Sequence, residues 1–297
     1  MATLMTFDLG GREAKMWLFC ALMLLFAVLA EPASAQTLNL MTFNVRFANE
    51  RDGEDYWDKR RDMAFRMIRA EAPDIMGTQE VLFRQRQELD RALTEFGSVG
   101  VGRDDGKAAG EHCVIFYRKA RLTLKQSGTF WLSDTPEVPG SKSWGNRITR
   151  ICTWARLQDK KTGKGFVVYN VHLDHESQPS REKSITLIFE RIRKRGNSDP
   201  VILMGDLNAG EGNPAVIAVR AETDVIMRDT FRVVEPTAHE VGTFHAFRGG
   251  KTGEKIDYIF VDYDFSVLKA AIVHTNEGGR TPSDHFPVTA KVQLNTL

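Results

Sequence analysis

A layered α/β fold with mostly antiparallel sheets is the class that this 297-residue sequence predicts. Three observations carry that reading. Strand-like and helix-like segments interleave along the chain, and they are joined both by short hairpin turns and by helical connections. No repeat, low-complexity tract or Ser/Pro-rich linker interrupts residues 36–297, so they read as one domain. With 42% hydrophobic and 27% charged residues there is enough apolar mass for a sizeable core. Disorder, collagen-like repeats and a disulfide-stapled miniprotein are excluded.

The elements follow in order. TLNLMTFNVRF (37–47) alternates apolar and polar positions with period two, as a half-buried strand does. Residues 57–71 carry Trp57, Met63, Met67 and Ile68 near helical spacing, and that helix must stop before Pro73. DIMGTQE (74–80) reads as a short buried strand, and QRQELDRALTEFG (85–97) as an amphipathic helix ended by Gly97. HCVIFYRK, LTLKQSGTFWL, ICTWARLQD and GFVVYNVHL are four strands, the last two joined by the turn DKKTGKG. Residues 180–195 form a helix with Ser180 as its N-cap and basic residues at its C-terminal end, where they suit the helix dipole. PVILMGDLN, IDYIFVD, VLKAAIVH and FPVTAKVQL complete the strands.

The first 35 residues stand apart. Residues 17–30 are a 14-residue apolar run, preceded by Arg12 and Lys15 and followed by Ala33-Ser34-Ala35. Basic region, apolar region and small-residue cleavage site, in that order, are a secretory signal peptide, and the run is short for a membrane span of about 20 residues. The expectation is cleavage after Ala35, a secreted or periplasmic monomer of residues 36–297, and no stable membrane anchor afterwards. Cys20 leaves with the leader. Cys113 and Cys152 sit in strand-like runs and read as packed thiols rather than a bridge.

Forty Lys and Arg against 39 Asp and Glu give a formal charge of +1, and removal of Arg12, Lys15, Asp8, Glu13 and Glu31 leaves 38 against 36. No global basic field therefore attracts nucleic acid, and RIRKR at the end of the third helix reads as a solvated helix terminus.

Polar residues gather at strand ends: Asn44, Glu80, His172 with Asp174, Asp206 with Asn208, Asp257, and Ser283-Asp284-His285. A single strand-end Asp is usually a turn former. The set is different, because carboxylates and amides without a Cys/His cluster make an oxygen-rich site for a hard cation such as Mg²⁺ or Mn²⁺. A His beside an Asp adds a group that handles protons or neutralises charge near neutral pH. A carboxylate-pair glycosidase would need neither the two amides nor the Asp-His pair.

TFNVRF, GTQE, NVHLD, GDLNA, KIDYIF and SDHFPV, in that order over nearly all of residues 36–297, resemble the endonuclease/exonuclease/phosphatase superfamily. The intervening YWDKRRD, VGVGRDDGKAAGE and ICTWARL are similar to a secreted branch related to the carbon-catabolite-repressor-type deadenylases. The resemblance implies a four-layer sandwich, with two mixed, mostly antiparallel sheets face to face and helices outside. It implies a divalent-metal-dependent phosphoester hydrolase, a phosphodiester being the favoured substrate. Asn44, Glu80 and Asp284 match metal-side positions. Asp206 matches the residue that orients or deprotonates the attacking water, with Asn208 beside it. His172 and His285 match phosphate-contacting histidines, and Asp257 the carboxylate that orients His285. Glu111 matches a second acid in some nucleases, while Arg103, Lys142 and Trp144 lie in loops able to reach substrate. Asp174 reads as a supporting hydrogen-bond partner, and His175 and His245 as loop residues rather than ligands.

Substrates left open are a nucleic acid, a lipid, and a small phosphorylated sugar or inositol. Near-neutral charge weighs against a long nucleic acid. A non-catalytic phosphate-binding module is the alternative, disfavoured because every main position holds a chemically suitable residue.

Overall fold

The computed structural model describes residues 37–295. The expected signal peptide and its cleavage after Ala35 lie outside the described residues. Two six-stranded sheets are present, and both are mixed. The first contains β1 (Thr37–Asn44), β2 (Ile75–Val81), β3 (Phe96–Val99), β4 (His112–Arg118), β11 (Phe265–Ile272) and β12 (Val288–Leu294), in the order β11-β12-β1-β2-β4-β3. The second contains β5 (Leu122–Trp131), β6 (Ile151–Asp159), β7 (Gly165–His172), β8 (Val201–Asp206), β9 (Arg228–Asp229) and β10 (Asp257–Val261), in the order β5-β6-β7-β8-β10-β9. Only β1–β2 and β7–β8 pair in parallel. Each parallel pair is bridged by a helix, as a crossover requires: α1 (Trp57–Glu71) in the first and α3 (Gln178–Arg193) in the second.

Helices cover the outer faces, giving four layers. Met41, Phe43, Met76 and Phe116 of the first sheet pack with Trp57, Ala64, Met67 and Ile68 of α1 and with Leu89 of α2 (Phe83–Ala92). Val167, Tyr169, Leu203 and Phe260 of the second sheet pack with Ile185, Ile188 and Ile192 of α3 and with Val216 and Val219 of α4 (Pro214–Ala221). A short α5 (Thr230–Val234) follows β9. Between the sheets lie Leu38, Leu40, Ile75, Ile115, Phe166, Val168, Ile202, Met204, Ile259 and Val261. Strands buried on both faces explain why several read as continuous apolar runs.

The period of two also aims the chemistry. The residues of β1 that face the other sheet are Leu38, Leu40, Thr42 and then Asn44. The same series runs Phe166, Val168, Asn170, His172 on β7, and Ile202, Met204, Asp206 on β8. Each inter-sheet row is apolar in the middle of the sandwich and turns polar at one rim. A polar seam joins the sheets just below that rim. The Gln79 amide nitrogen donates to Asn170 (2.7 Å) and Thr42 (3.1 Å), while the Asn170 amide donates to the carbonyls of Thr78 and Val114. The sheets approach closely here, since a Cβ on Gly77 would lie 2.7 Å from the Met204 sulfur.

Three local expectations are corrected. The second helix covers Phe83–Ala92 rather than 85–97, because Phe96 and Gly97 pair with Arg118 and Tyr117 as strand β3. The third begins at Gln178, capped by Ser177, whose hydroxyl accepts the Ser180 amide; Ser180 itself is buried inside the helix. Helices α4 and α5 were not anticipated. Cys113 and Cys152 are buried free thiols. Among the described residues no helix is long and apolar enough to cross a membrane.

Candidate active site

At the polar rim a cleft of about 660 Å³ is lined by residues from both sheets, among them Glu80, Glu111, His172, Asp206, Asn208, Asp284 and His285. Strained backbone concentrates there. Of the seven non-glycine residues with positive φ among the described residues, five line the cleft: Arg46, Glu80, Asn208, Ala246 and Phe247. Such conformations persist where the surrounding structure enforces them, and they cluster at functional sites. Glu80 shows why. The β2–β4 register slips between Thr78 and Val81, and this bulge with φ 60° at Glu80 turns a side chain that alternation would send outward.

Asp206 is the centre. It ends β8 opposite His172 on one side and Asp257 on the other. Its Oδ2 accepts the Asn44 amide at 3.0 Å and lies 3.5 Å from His172 Nε2 and 3.9 Å from His285 Nε2, while Oδ1 accepts the Asn208 backbone N–H at 2.8 Å. Gly205 makes this possible: with φ 144°, any Cβ there would sit 1.9 Å from the Val171 carbonyl oxygen. Burial, reinforced by the Asp257 charge, pushes the Asp206 carboxyl up to about 7 against the opposing pull of His285. His285 Nδ1 lies 2.9 Å from Asp257 Oδ2, both side chains buried. Burial lowers the His285 pKa, yet Asp257, Asp206 and Asp284 together outweigh it and hold the ring protonated well above its ordinary range. His172 behaves oppositely. Burial, with Arg150 and Arg103 nearby, depresses its pKa well below the ordinary value and leaves a neutral imidazole.

Charge pairing decides what the cleft can hold. Arg46 bonds Asp52 through two nitrogens at 3.0 Å, and Arg103 bonds Glu111 at 2.7 and 2.9 Å. Arg150 meets Asp174 at 3.4 Å, and His285 meets Asp257 at 2.9 Å. Each of these cations has its own carboxylate. Glu80, Asp206 and Asp284 are left over, with no cationic atom nearer than the 3.8 Å between Arg46 and Asp284. A surplus of clustered carboxylate oxygens fits a hard divalent cation, and burial together with Glu80 already raises the Asp284 pKa despite His285. Asp206, Asp257 and His285 also bring ligand-type atoms within 4.8 Å of one another, which the Nδ1–Asp257 hydrogen bond accounts for.

The structure thus brings together Asn44, Glu80, Glu111, Arg103, His172, Asp206, Asn208, Asp257, Asp284 and His285. Asn44 links Glu80 and Asp206. Its amide nitrogen donates to both Glu80 (3.0 Å) and Asp206 (3.0 Å), and its Oδ1 accepts the Arg46 N–H, so it ties two carboxylates together. Lys142 and Trp144 are not cleft residues: Lys142 donates to the Arg147 carbonyl, and the Trp144 indole donates to Asp134 and packs beside Lys183. Their loop is tied to itself and to the start of α3. His175 lines the cleft, its Nδ1 accepting from Arg150 Nη2 at 2.8 Å. Asp174 accepts the Glu176 and Ser177 amides in addition to Arg150.

Sequence reasoning missed Arg46, Arg150, Phe244 and Phe247 on the cleft wall, and Arg60 behind it. Arg60 is fully buried and donates to the carbonyls of Val45, Arg46, Asp55 and Pro282, fixing the segments that follow Asn44 and precede Asp284. An arginine on the apolar stripe of α1, three residues after Trp57, was the available signal.

A family model described as "Endonuclease/Exonuclease/phosphatase family" matches residues 41–285. A crystal structure of an endonuclease/exonuclease/phosphatase family protein from Bacteroides thetaiotaomicron is 33% identical, with a TM-score of 0.82 over 88% of this chain and 96% of that one. A mannosyl-6-phosphatase from the same organism is 34% identical, with a TM-score of 0.79 over 86% and 99% of the two chains. An uncharacterized protein of Acanthamoeba polyphaga mimivirus is 34% identical over 163 residues, 52% of this chain and 60% of that relative's length.

Proposed function

We propose that this chain, which belongs to the endonuclease/exonuclease/phosphatase family, is an exported, divalent-metal-dependent phosphoester hydrolase. Hydrolysis of phosphoesters is the chemistry of that family. The observation that carries the reading for this chain is Asp206, held at 3.0 Å by Asn44, between a neutral His172 and a protonated His285 backed by Asp257.

Asp206 orients the attacking water in line with the leaving group and accepts its proton; a carboxyl titrating near 7 is matched to that task. His285 offers Nε2–H to the phosphoryl oxygens, with Asp257 fixing the ring and its charge. Such preorganised donors act where negative charge develops. His172 and the Asn208 amide contribute further contacts to the phosphate. Glu80 and Asp284 would hold Mg²⁺, or Mn²⁺, with Asn44 aligning Glu80 to Asp206. A cation held there would supply charge neutralisation at the phosphoryl group and lower the pKa of a bound water.

A phosphodiester and a small phosphomonoester both suit this arrangement. The mannosyl-6-phosphatase at 34% identity and the near-balanced charge of this chain support a small phosphorylated sugar over a long nucleic acid. A non-catalytic phosphate-binding module would need no base at Asp206.

Release of 4-nitrophenol from aryl phosphate mono- and diesters, with and without EDTA, tests the reading. Turnover should require added Mg²⁺ and fall by about 10² or more in Asp206→Ala. Activity indifferent to both EDTA and Asp206→Ala refutes it. Export is tested by N-terminal sequencing of the protein made from the whole gene, with Gln36 expected first.

A further inference from the structure

Arg150, on the cleft wall, has a terminal guanidinium nitrogen without a partner. Arg150 immediately precedes β6, anchored by its carbonyl, which accepts the Leu132 amide at 2.8 Å. It is 3% exposed and lines the same cleft as His172 and Asp206. Nε reaches Asp174 Oδ2 at 3.4 Å and Nη2 meets His175 Nδ1 at 2.8 Å, but buried Nη1 has no acceptor. The other cleft arginines differ. Arg103 also has a buried Nε without an acceptor, but both of its terminal nitrogens bond Glu111, and Arg46 is partly open to water at 24% side-chain exposure. A buried guanidinium nitrogen without an acceptor is costly, and the group that removes the cost must be anionic or strongly polar. Tying the Asp174 turn to β6 takes only Nε and Nη2. A purely structural role therefore leaves Nη1 unexplained.

We infer that Arg150 is a specificity-determining residue that receives a non-bridging oxygen of a terminal phosphate, so that the cleft selects phosphate monoesters over diesters. The inference rests on the phosphoester-hydrolase reading. A phosphate monoester carries close to two negative charges and three strong acceptor oxygens at neutral pH. Esterification of one of those oxygens leaves a diester with two and a single charge. His285, His172 and Asn208 surround Asp206, and Glu80 and Asp284 line the same cleft. Those groups are sufficient for two oxygens. Arg150 Nη1 is the additional donor that the third oxygen needs, and an alkyl group on that oxygen would leave the guanidinium still unsatisfied in a buried place. Discrimination of this kind is large, because the disfavoured ligand strands a polar group rather than merely losing a contact.

The test compares 4-nitrophenyl phosphate with methyl 4-nitrophenyl phosphate, which share a leaving group and differ only in the cap on one oxygen. With Mg²⁺ present, the native protein should favour the monoester in kcat/KM by at least 100-fold. Arg150→Ala should lose at least 100-fold on the monoester and less than threefold on the methyl ester, with added methylguanidinium restoring monoester turnover selectively. Asp174→Asn weakens the structural tie and keeps the guanidinium, so it should lower both substrates alike. Equal losses on the two substrates in Arg150→Ala, or a native preference for the methyl ester, overturn the inference while leaving the hydrolase reading intact. If neither substrate turns over, calorimetry with inorganic phosphate decides. Binding weakened at least tenfold by Arg150→Ala keeps Arg150 as the phosphate contact and removes the hydrolase reading; undetectable binding to the native protein removes both.

Discussion

Asp257→Asn leaves the shape of the site intact and removes one charge from it. The Asn carbonyl can still accept the His285 Nδ1–H across the present 2.9 Å, and the backbone N–H of residue 257 keeps its Thr243 hydroxyl partner. What disappears is the carboxylate's attraction for the imidazolium, about 6 kcal/mol at 2.9 Å with an effective dielectric of 20. Asp206 at 3.9 Å still supplies about 4 kcal/mol by the same measure, so the ring keeps part of its preference for the proton. A fall of at least about 2 pK units in His285 is expected, about 2.7 kcal/mol at 1.36 kcal/mol per unit.

The sign follows from His285 acting in its protonated form. Activity is present below its pKa and lost as pH rises through it. Lowering that pKa therefore moves the alkaline limb of kcat toward acid by the same interval. Above the lowered pKa the loss of a charged donor aimed at the phosphoryl group should cost about 10² in rate. The assay is kcat for 4-nitrophenyl phosphate between pH 5 and 10 in both proteins, with ¹³C-labelled histidine NMR reading His285 directly. An alkaline limb that stays in place, with a rate within threefold of native, refutes the role given to the pair.

Two stability predictions bear on the scaffold. Gly205→Ala forces a Cβ to 1.9 Å from the Val171 carbonyl at φ 144°, and no side-chain movement relieves a clash with backbone. A loss above about 4 kcal/mol in urea unfolding, or no soluble protein, is expected, and a loss under 1 kcal/mol would contradict the geometry. Lys255→Met removes a fully buried ammonium that lies 2.8 Å from Asp229 and 3.3 Å from the centre of the Tyr258 ring. Stranding Asp229 should cost about 3–5 kcal/mol, and the double replacement Lys255→Met with Asp229→Leu should recover most of it.

Much of the site was legible because strands alternate. Asn44, His172 and Asp206 are the terminal members of rows that begin apolar, so the sequence marks them as polar strand ends, and their gathering at one rim is what the family resemblance implied. The charge of the whole chain, +1, was informative only in a limited way, because it hides a cleft whose four cations are each paired with a carboxylate and whose three remaining carboxylates are not. Other features were hidden for identifiable reasons. Glu80 stands out in the sequence as a strand-end acid, but the bulge and positive φ that turn it into the cleft are announced by no local pattern. Trp144 and Lys142 look like loop groups free to reach substrate, yet Asp134 and the Arg147 carbonyl hold them elsewhere.

By itself the sequence determined the alternation of strands and helices, the polar strand ends and the six ordered motifs, because periodicity and residue chemistry are local properties. Only the tertiary structure decided which charges pair. Arg103 with Glu111, His285 with Asp257, and Arg150 with Asp174 depend on separations set by sheet packing. That packing, by burying Asp206, His172 and His285 in one small volume, is what drives their protonation apart.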